Sequence, residues 1–341
     1  MDASVETALT AAFPDRRVVN LVGVGPSWNG GNETVGVDFA DGDRVYLKVA
    51  IAGSGGRIAR ERAVLEYVSA RRPIPVPNVI ATDPDATVPY LATAPAPGRA
   101  LHDVLREADD DRRETLLRYV GATLATLHAE RFESHGEIVG RGGTVGIGEG
   151  VDEAVHDGAS GLEIETASWT DTLLGTIERT REIGTTDRLA RHFDAVIDCV
   201  ESNRDRLDGA PTALLHGDIA PPNAFLAEGD RVVGGADVGF LDWELAHVGD
   251  PARDLVRARD QLCNGFDYEG PERFGGAVYA GYRERAGGLP TGFETRRPIY
   301  RVVRILGRSG FLDQWATYLD EPMEDLVERI DVELETRLEA V

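Results

Sequence analysis

Two aspartates and an asparagine stand at spacings that suit phosphoryl transfer. In "LLHGDIAPPNAFL" Asp218 precedes Asn223 by five residues, and in "VGFLDWELAHVGDPARDL" Asp242 follows Asn223 by nineteen. Apolar runs flank both polar segments, which predicts strand–loop–strand contexts. A carboxylate on such a loop can accept a proton or orient a hydroxyl. An amide and a second carboxylate can hold a hard cation. Mg²⁺ fits, because it prefers oxygen ligands and needs few from the protein when phosphates and waters supply the rest. A fourth residue stands out by composition: Lys48, in "DGDRVYLKVA", is the only lysine among 36 basic residues. Arginine serves at every other basic position, so Lys48 has a task that arginine cannot perform.

The elements that must position these residues follow from periodicity. Residues 3 to 13 read as a short helix and "RRVVNLVGVG" as a strand. In "ETVGVDFADGDRVYLKVA" the alternation of Val35, Val37 and Phe39, the Asp41-Gly42 turn, and the alternation of Val45, Leu47 and Val49 predict a hairpin. "RIARERAVLEYVSAR" carries Ile58, Ala59, Arg62, Leu65 and Val68 at helical spacing. "PIPVPNVIATD" and "VPYLATA" read as two further strands. After the breakers Pro95, Pro97 and Gly98 the text turns helical, with stretches near 168–183, 187–207, 251–263, 271–286, 295–308 and 321–339. The glycine-rich "SHGEIVGRGGTVGIGEG" reads as an irregular insertion within 130–165. The island "TALLHGDIAPPNAFLAEGDRVVGGADVGFLDWE" is β-rich. The expected fold is α+β with two lobes: 1–93 as a small antiparallel sheet with a helix, 94–98 as a hinge, and 99–341 as a larger, mostly helical lobe.

"HGDxxxxN" followed by "LDWE" resembles the aminoglycoside phosphotransferase-like kinases, small-molecule relatives of the protein kinases. The resemblance runs from the glycine loop to the terminal helices. It implies a protein-kinase-like fold and transfer of the γ-phosphoryl group of ATP, with GTP as an alternative, to a hydroxyl of a small molecule. It further implies that Asp218 is catalytic, that Asn223 and Asp242 hold Mg²⁺, and that Lys48 grips the nucleotide phosphates as a compact charge on a flexible stem. A glutamate on the following helix would hold Lys48; Glu61 matches that position best, with Glu66 as the alternative. The loop "GVGPSWNGGNETV", with Gly23, Gly25, Gly30, Gly31 and Asn32, would lie over the phosphates, and Trp28 departs from the pattern there. In "LATAPAPGR" the backbones of Ala94 and Ala96 would meet the adenine edge; the charged residue that the family often has in this hinge is missing. A protein kinase or a non-catalytic nucleotide-binding module are the other readings. The first lacks an "APE"-type segment, and the second would be expected to lose one of Lys48, Asp218, Asn223 or Asp242.

His216 reads as a support for the metal-binding segment, Asp250 and Asp254 as caps and braces of the following helix, and His128 as a satisfied histidine at a helix end. Asp260, Asp267 and Glu269 could receive a cationic substrate, though in an acidic chain such residues are more often solvated surface. Cys199 and Cys263 are too few for a disulfide framework. The first residues have neither a basic region nor an apolar core of a signal peptide, and no run of 18 apolar residues occurs, so a soluble cytoplasmic protein is expected.

The formal net charge is −23, from 59 acidic against 36 basic residues. Such a chain repels nucleic acid and anionic membranes; a small-molecule partner is what the resemblance implies, and overall acidity says nothing about that partner's charge. An Asp-rich, lysine-poor composition resembles the proteins of salt-loving archaea. Self-repulsion acts over a Debye length of about 30 Å at 0.01 M salt but only about 3 Å at 1 M. The melting temperature should therefore rise from 0.1 to 2 M KCl when followed by circular dichroism; a flat or falling trend contradicts the halophilic reading.

Overall fold

The computed structural model describes residues 3–23, 31–52, 54–71, 73–141, 161–227, 238–266 and 268–341. The chain begins with α1 (Ala3–Ala12), β1 (Val18–Gly23), β2 (Asn32–Phe39), β3 (Arg44–Ala50), α2 (Gly56–Arg71), β4 (Val79–Asp83), β5 (Tyr90–Thr93) and β6 (Gly98–Ala100). Next come α3 (Leu101–Glu107), α4 (Asp110–Leu127), β7 (Gly136–Arg141), β8 (Leu162–Thr166), α5 (Trp169–Ile183), α6 (Asp187–Ala190), α7 (His192–Ser202) and α8 (Arg204–Asp208). The β-rich island contributes β9 (Ala213–Leu215), β10 (Ala224–Ala227), β11 (Val238–Phe240) and β12 (His247–Gly249). The chain closes with α9 (Pro251–Cys263), α10 (Glu272–Ala286), α11 (Phe293–Arg308), α12 (Leu312–Leu319) and α13 (Met323–Glu339). No helix among the described residues is long and apolar enough to cross a membrane.

Contacts divide the chain into two compact units. The first comprises Met1–Leu101, Ile138–Glu165 and Asn223–Ala246, and the second the remainder. This division departs from the split in chain order at 93 and 99. The reason is strand pairing: β10 lies between β11 and β6, with Phe225 opposite Ala100, so the island's second half joins the N-terminal residues. Residues 94–98 lead directly into β6.

The first unit is built on the antiparallel sheet β1-β2-β3-β5-β4. Alternation decides its two faces. Val35, Val37, Phe39, Val45, Leu47 and Val49 turn to one side and pack with Val5, Ala8 and Leu9 of α1. Fully burying side chains of this size stabilises by roughly 1.5–3 kcal/mol each, and a one-residue slip of β3 would exchange Leu47 for Lys48 on that face. The register is thus tightly specified, with Val37 opposite Val45 and Thr34 opposite Lys48. α2 packs against the segment 243–245 and β4.

The second unit is helical, and α4 against α10 is its main helix pair. Glycines permit that approach: a Cβ on Gly121 would stand 2.0 Å from the Val278 carbonyl oxygen, and one on Gly281 1.9 Å from that of Arg118. Beside the helices, β12 lies between β9 and the first residues of β7, with His247 opposite both Leu215 and Glu137.

Several expectations from periodicity need correction. The insertion is not irregular where it is described: β7 and β8 pair and flank residues 142–160. The single helix expected over 187–207 is three pieces, and α12 was not anticipated. "PIPVPNVIATD" is a strand only from Val79, because three prolines withhold donors from a ladder. Replacing Gly281 with alanine should force α4 and α10 apart and destabilise the protein by about 1–3 kcal/mol, measured by denaturant unfolding; an unchanged midpoint would show that the pair relaxes at no cost.

Candidate active site

Lys48 lies on β3 at the centre of the first sheet, opposite Thr34 on one side and Leu91 on the other. Its neighbours Leu47 and Val49 are fully buried on the core face, which sends the lysine stem to the opposite face. There the ammonium donates to Glu61 Oε2 at 2.5 Å, Asp242 Oδ1 at 2.6 Å and Glu244 Oε2 at 3.3 Å. A Lys ammonium has three donors on one nitrogen, whereas a guanidinium spreads its donors over a planar fork. Three carboxylates converging on one point therefore suit lysine and not arginine. Glu66, the other candidate, is engaged elsewhere, with Arg62 and Arg141.

Burial alone would lower the Lys48 pKa, but Glu61, Asp242 and Glu244 raise it more, so the ammonium stays charged. Glu61 is pushed up to about 7: burial raises it, Lys48 opposes, and the carboxylates of Asp242 and Glu244 raise it further. Lys48 and, at 3.4 Å from Glu244, Arg57 stand among three carboxylates, which leaves one surplus negative charge when all three are ionised. Oxygens of Glu61, Asp242 and Glu244 lie within 4.8 Å of one another. This donor set is all oxygen and under-compensated, which fits a hard divalent cation. A second acidic group, His192, Asp331 and Glu335, does not fit one, because Arg188 and Arg191 already bind Asp331 and Arg191 also binds Glu335.

Asp242 occupies the left-handed region at φ 61° and ψ 64°. A non-glycine residue there stores roughly 1–3 kcal/mol. The following residue holds it in place: the Trp243 N–H donates to Glu61 Oε1 at 3.3 Å, and its indole N–H donates to the Phe240 carbonyl at 3.2 Å with the ring fully buried. The β10–β11 hairpin sets Ala224 opposite Phe240, and the Leu241 N–H donates to the Asn223 carbonyl at 2.9 Å. Asn223 and Asp242 thereby leave the same end of one hairpin.

Glu244 was missed as a site residue, although "LDWE" contains it. It is buried and accepts from Asn32 Nδ2 at 2.6 Å and from Arg57 Nη1 at 3.4 Å besides Lys48. A charged residue two positions after the metal-type aspartate was the available signal. Asn32 consequently opens β2 as a buried partner of Glu244 and is not part of an open loop. Gly25, Trp28 and Gly30 lie outside the described residues. The Gly31 carbonyl accepts from Ile51 N–H at 3.0 Å and Ala52 N–H at 3.2 Å. At the anticipated hinge, the Ala94 N–H donates to the Asn78 carbonyl and the Ala96 carbonyl accepts from the Gly98 N–H, both at 2.9 Å.

Asp218 belongs to the second unit. Its Oδ1 accepts from Arg257 Nη2 at 2.5 Å and from Gln261 Nε2 at 3.4 Å, two residues one turn apart on α9. Burial raises its pKa, but the charge and hydrogen bond of Arg257 outweigh that, and the carboxyl sits below its ordinary range. The loop holding it is fixed from beneath. The backbone N–H groups of His216 and Gly217 donate to Asp254 Oδ2 and Oδ1 at 2.7 and 3.0 Å, and the Asp218 N–H donates to His216 Nδ1 at 3.2 Å. Gly217 needs no side chain there, since its φ is +82°. Asp254 also meets His128 Nε2 at 3.4 Å. Asp250 caps α9 through the Ala252 N–H, and its Oδ2 accepts from Arg296 Nε and the Tyr300 hydroxyl, each at 2.6 Å. Asp254 therefore braces the catalytic-type loop, beyond the helix support anticipated for it.

A model of the phosphotransferase enzyme family matches residues 27–299. No curated protein sequence matches significantly. Among solved structures, the ternary complex of streptomycin, ATP and the phosphotransferase APH(2'')-IIa is 16% identical, covers 99% of this chain and 98% of its own, and superposes with a TM-score of 0.58. The macrolide 2'-phosphotransferase MphH from Brachybacterium faecium is 18% identical, with 97% and 98% covered and a TM-score of 0.52. An ethanolamine kinase of Plasmodium vivax is 12% identical, with 95% and 81% covered and a TM-score of 0.51. At these identities the likeness establishes the two-lobed, protein-kinase-like α+β fold.

The Asp254 brace has a measurable pH signature. Burial raises its pKa, and His128, with the charges of His216 and His247, lowers it to a net depression. A depressed carboxylate stabilises fully above its unfolded value of about 3.9 and loses that contribution as pH falls through the folded value. Asp254→Asn should cost about 1.5–3 kcal/mol at pH 7, and the gap to the unaltered protein should narrow in urea melts at pH 3. A gap that widens on acidification would refute the assignment.

Proposed function

Since the chain belongs to the phosphotransferase enzyme family, and small-molecule kinase activity goes with that membership, we propose that it moves the γ-phosphoryl group of ATP to a hydroxyl of a small molecule with Mg²⁺. The single observation that carries this reading is the Lys48 ammonium held by Glu61, Asp242 and Glu244. Such a charge, pre-positioned and buried, supplies electrostatics for a triphosphate once a donor turns to it from one of the three carboxylates. Asp242 and Asn223 would hold the Mg²⁺, with Glu244 beside them. That ion supplies neutralisation of phosphate charge. Lys48 grips the nucleotide and Glu61 positions Lys48.

Asp218 meets the acceptor hydroxyl. The hydroxyl oxygen bonds to the γ-phosphorus as the bond to the β–γ bridging oxygen breaks; ADP departs with that electron pair, and the hydroxyl proton passes to Asp218 or to solvent. Arg257 makes Asp218 a weak base. Weakness is no handicap in a loose transition state, where the attacking oxygen gains little charge early, so Asp218 acts chiefly by orienting the hydroxyl. Because the Ala94 N–H and Ala96 carbonyl are engaged within the chain, the Ala94 carbonyl and Ala96 N–H are the groups for an adenine edge. ATP is the proposed nucleotide, with GTP the alternative. The charge excess supports a salt-adapted protein without nucleic-acid or anionic-membrane partners.

Three variants separate the roles. Asp218→Asn should keep Mg·ATP affinity while turnover falls about 10²–10⁴-fold, because an amide neither orients the hydroxyl nor takes its proton as well as a carboxylate. Asp242→Asn should weaken Mg·ATP itself. Lys48→Arg should lose both, despite retaining the charge. Calorimetry paired with ATP-consumption assays over a library of hydroxylated metabolites and antibiotics reads all three. Equal nucleotide loss in Asp218→Asn and Asp242→Asn would overturn the division of roles, and full turnover in Asp218→Asn would remove it from catalysis.

A further inference from the structure

The second unit carries a concentration of positive charge at odds with the chain as a whole. α11 alone contains Arg296, Arg297, Arg301, Arg304 and Arg308, and α9 contains Arg253, Arg257 and Arg259. Five arginines, Arg259, Arg297, Arg301, Arg304 and Arg337, line a cavity of about 250 Å³ whose wall includes only three carboxylates. In a protein of net charge −23, self-repulsion and solubility do not account for such a lining.

Each of the three carboxylates is already bound by arginine. Asp260 Oδ2 accepts from Arg304 Nε at 2.9 Å and Arg308 Nη2 at 2.6 Å. Glu269 is paired with Arg301 and, at 3.4 Å, with Arg259, which also reaches Glu272 at 2.8 Å. Asp260 and Glu269, which the sequence offers as candidates to receive a cation, therefore present no uncompensated charge; Asp267 lies outside the described residues. Arg297 and Arg337 have helix partners, Glu294 and Glu333, that do not line the cavity.

The cavity and the catalytic-type aspartate share α9: Arg257 and Gln261, which hold Asp218, interleave along that helix with the lining residues Val256 and Asp260. Arg304 lines the cavity, and its charge also helps lower the Asp218 pKa. Burial pulls the Arg304 pKa down to about 9; Asp260 opposes, and Arg257 and Arg308 lower it further. Buried cations so crowded favour an additional anion.

We infer that the phosphoryl acceptor is a hydroxylated small molecule bearing an oxyanion, a carboxylate or a phosphate ester, which binds in the arginine-lined cavity of the second unit and presents its hydroxyl to Asp218. Guanidinium groups suit both oxyanions, because their forked donors match two oxygens at once. A polycationic amine would instead meet a lining of its own sign. The inference rests on the phosphotransferase reading for its catalytic half, while the cavity stands on its own contacts.

Four probes test it at the lowest salt that keeps the chain folded: gluconate, glucose 6-phosphate, sorbitol and kanamycin. Calorimetry without nucleotide measures binding, and ADP release with Mg·ATP measures transfer. At least one acid should bind and turn over, and comparison of the two tells carboxylate from phosphate. Arg301 is partly exposed, so Arg301→Gln should fold; it should weaken that acid at least 10-fold, and Arg301→Glu more, with Mg·ATP affinity unchanged. Failure of both acids to bind, acid binding indifferent to Arg301→Glu, or preferred transfer to sorbitol or kanamycin would overturn the inference and leave the kinase reading standing. Arg301-dependent binding of an acid without any transfer would do the reverse: the cavity assignment holds and the phosphotransferase reading fails.

Discussion

The first unit depends on one buried ammonium and the three carboxylates around it. Lys48 ties β3 to α2 through Glu61 and to the segment after β11 through Asp242 and Glu244. A charge taken from water is tolerated only when its remaining valences are filled, and here all three donors of the ammonium are used. The same node sets the strained backbone of Asp242, because Glu61 also accepts from the next N–H. The geometry that keeps Lys48 in place thus also arranges oxygens for a hard cation, and its uncompensated negative charge is what a cation would neutralise.

The second unit solves a similar problem with the opposite sign. Asp250 and Asp254, both almost without exposure, organise backbone amides, Arg296, Tyr300 and His128 around the start of α9. Asp254 turns a helix into a mount for the Asp218 loop, since it takes two consecutive amide protons that no sheet ladder satisfies. From the next turns of α9, Arg257 and Gln261 then hold the Asp218 carboxylate. Hydrogen bonds in a buried network of this kind fix the groups they join, which explains how short loops carry precise orientations.

Net charge and local charge have different meanings in this protein. The excess of carboxylates is spread over the surface, where it governs hydration and association. Arginines of α9 and α11 gather instead around a cavity, where guanidinium groups pair with Asp260 and Glu269 and outnumber them. Reading the substrate from overall acidity would have reversed the sign of the pocket.

The local text determined what depends on spacing along one chain. Alternation in 32–50 specified the hairpin and sent Lys48 away from the core, and helical patterning marked α2, α5, α9 and α11. The solitary lysine and the Asp218, Asn223, Asp242 spacing were legible as a candidate phosphoryl-transfer site. Pairing between distant segments was decided only in three dimensions. Glu244 joined Lys48 and Asn32 because β10 and β11 fold into the same unit as the N-terminal sheet, across 196 and 212 residues of sequence. Likewise Asp254 found the amides of His216 and Gly217, and Asp260 found Arg304 and Arg308, across separations of 37 to 48 residues. Periodicity reports which face a side chain takes; it carries no information about which other face folds against it, and buried charge is settled by that second choice.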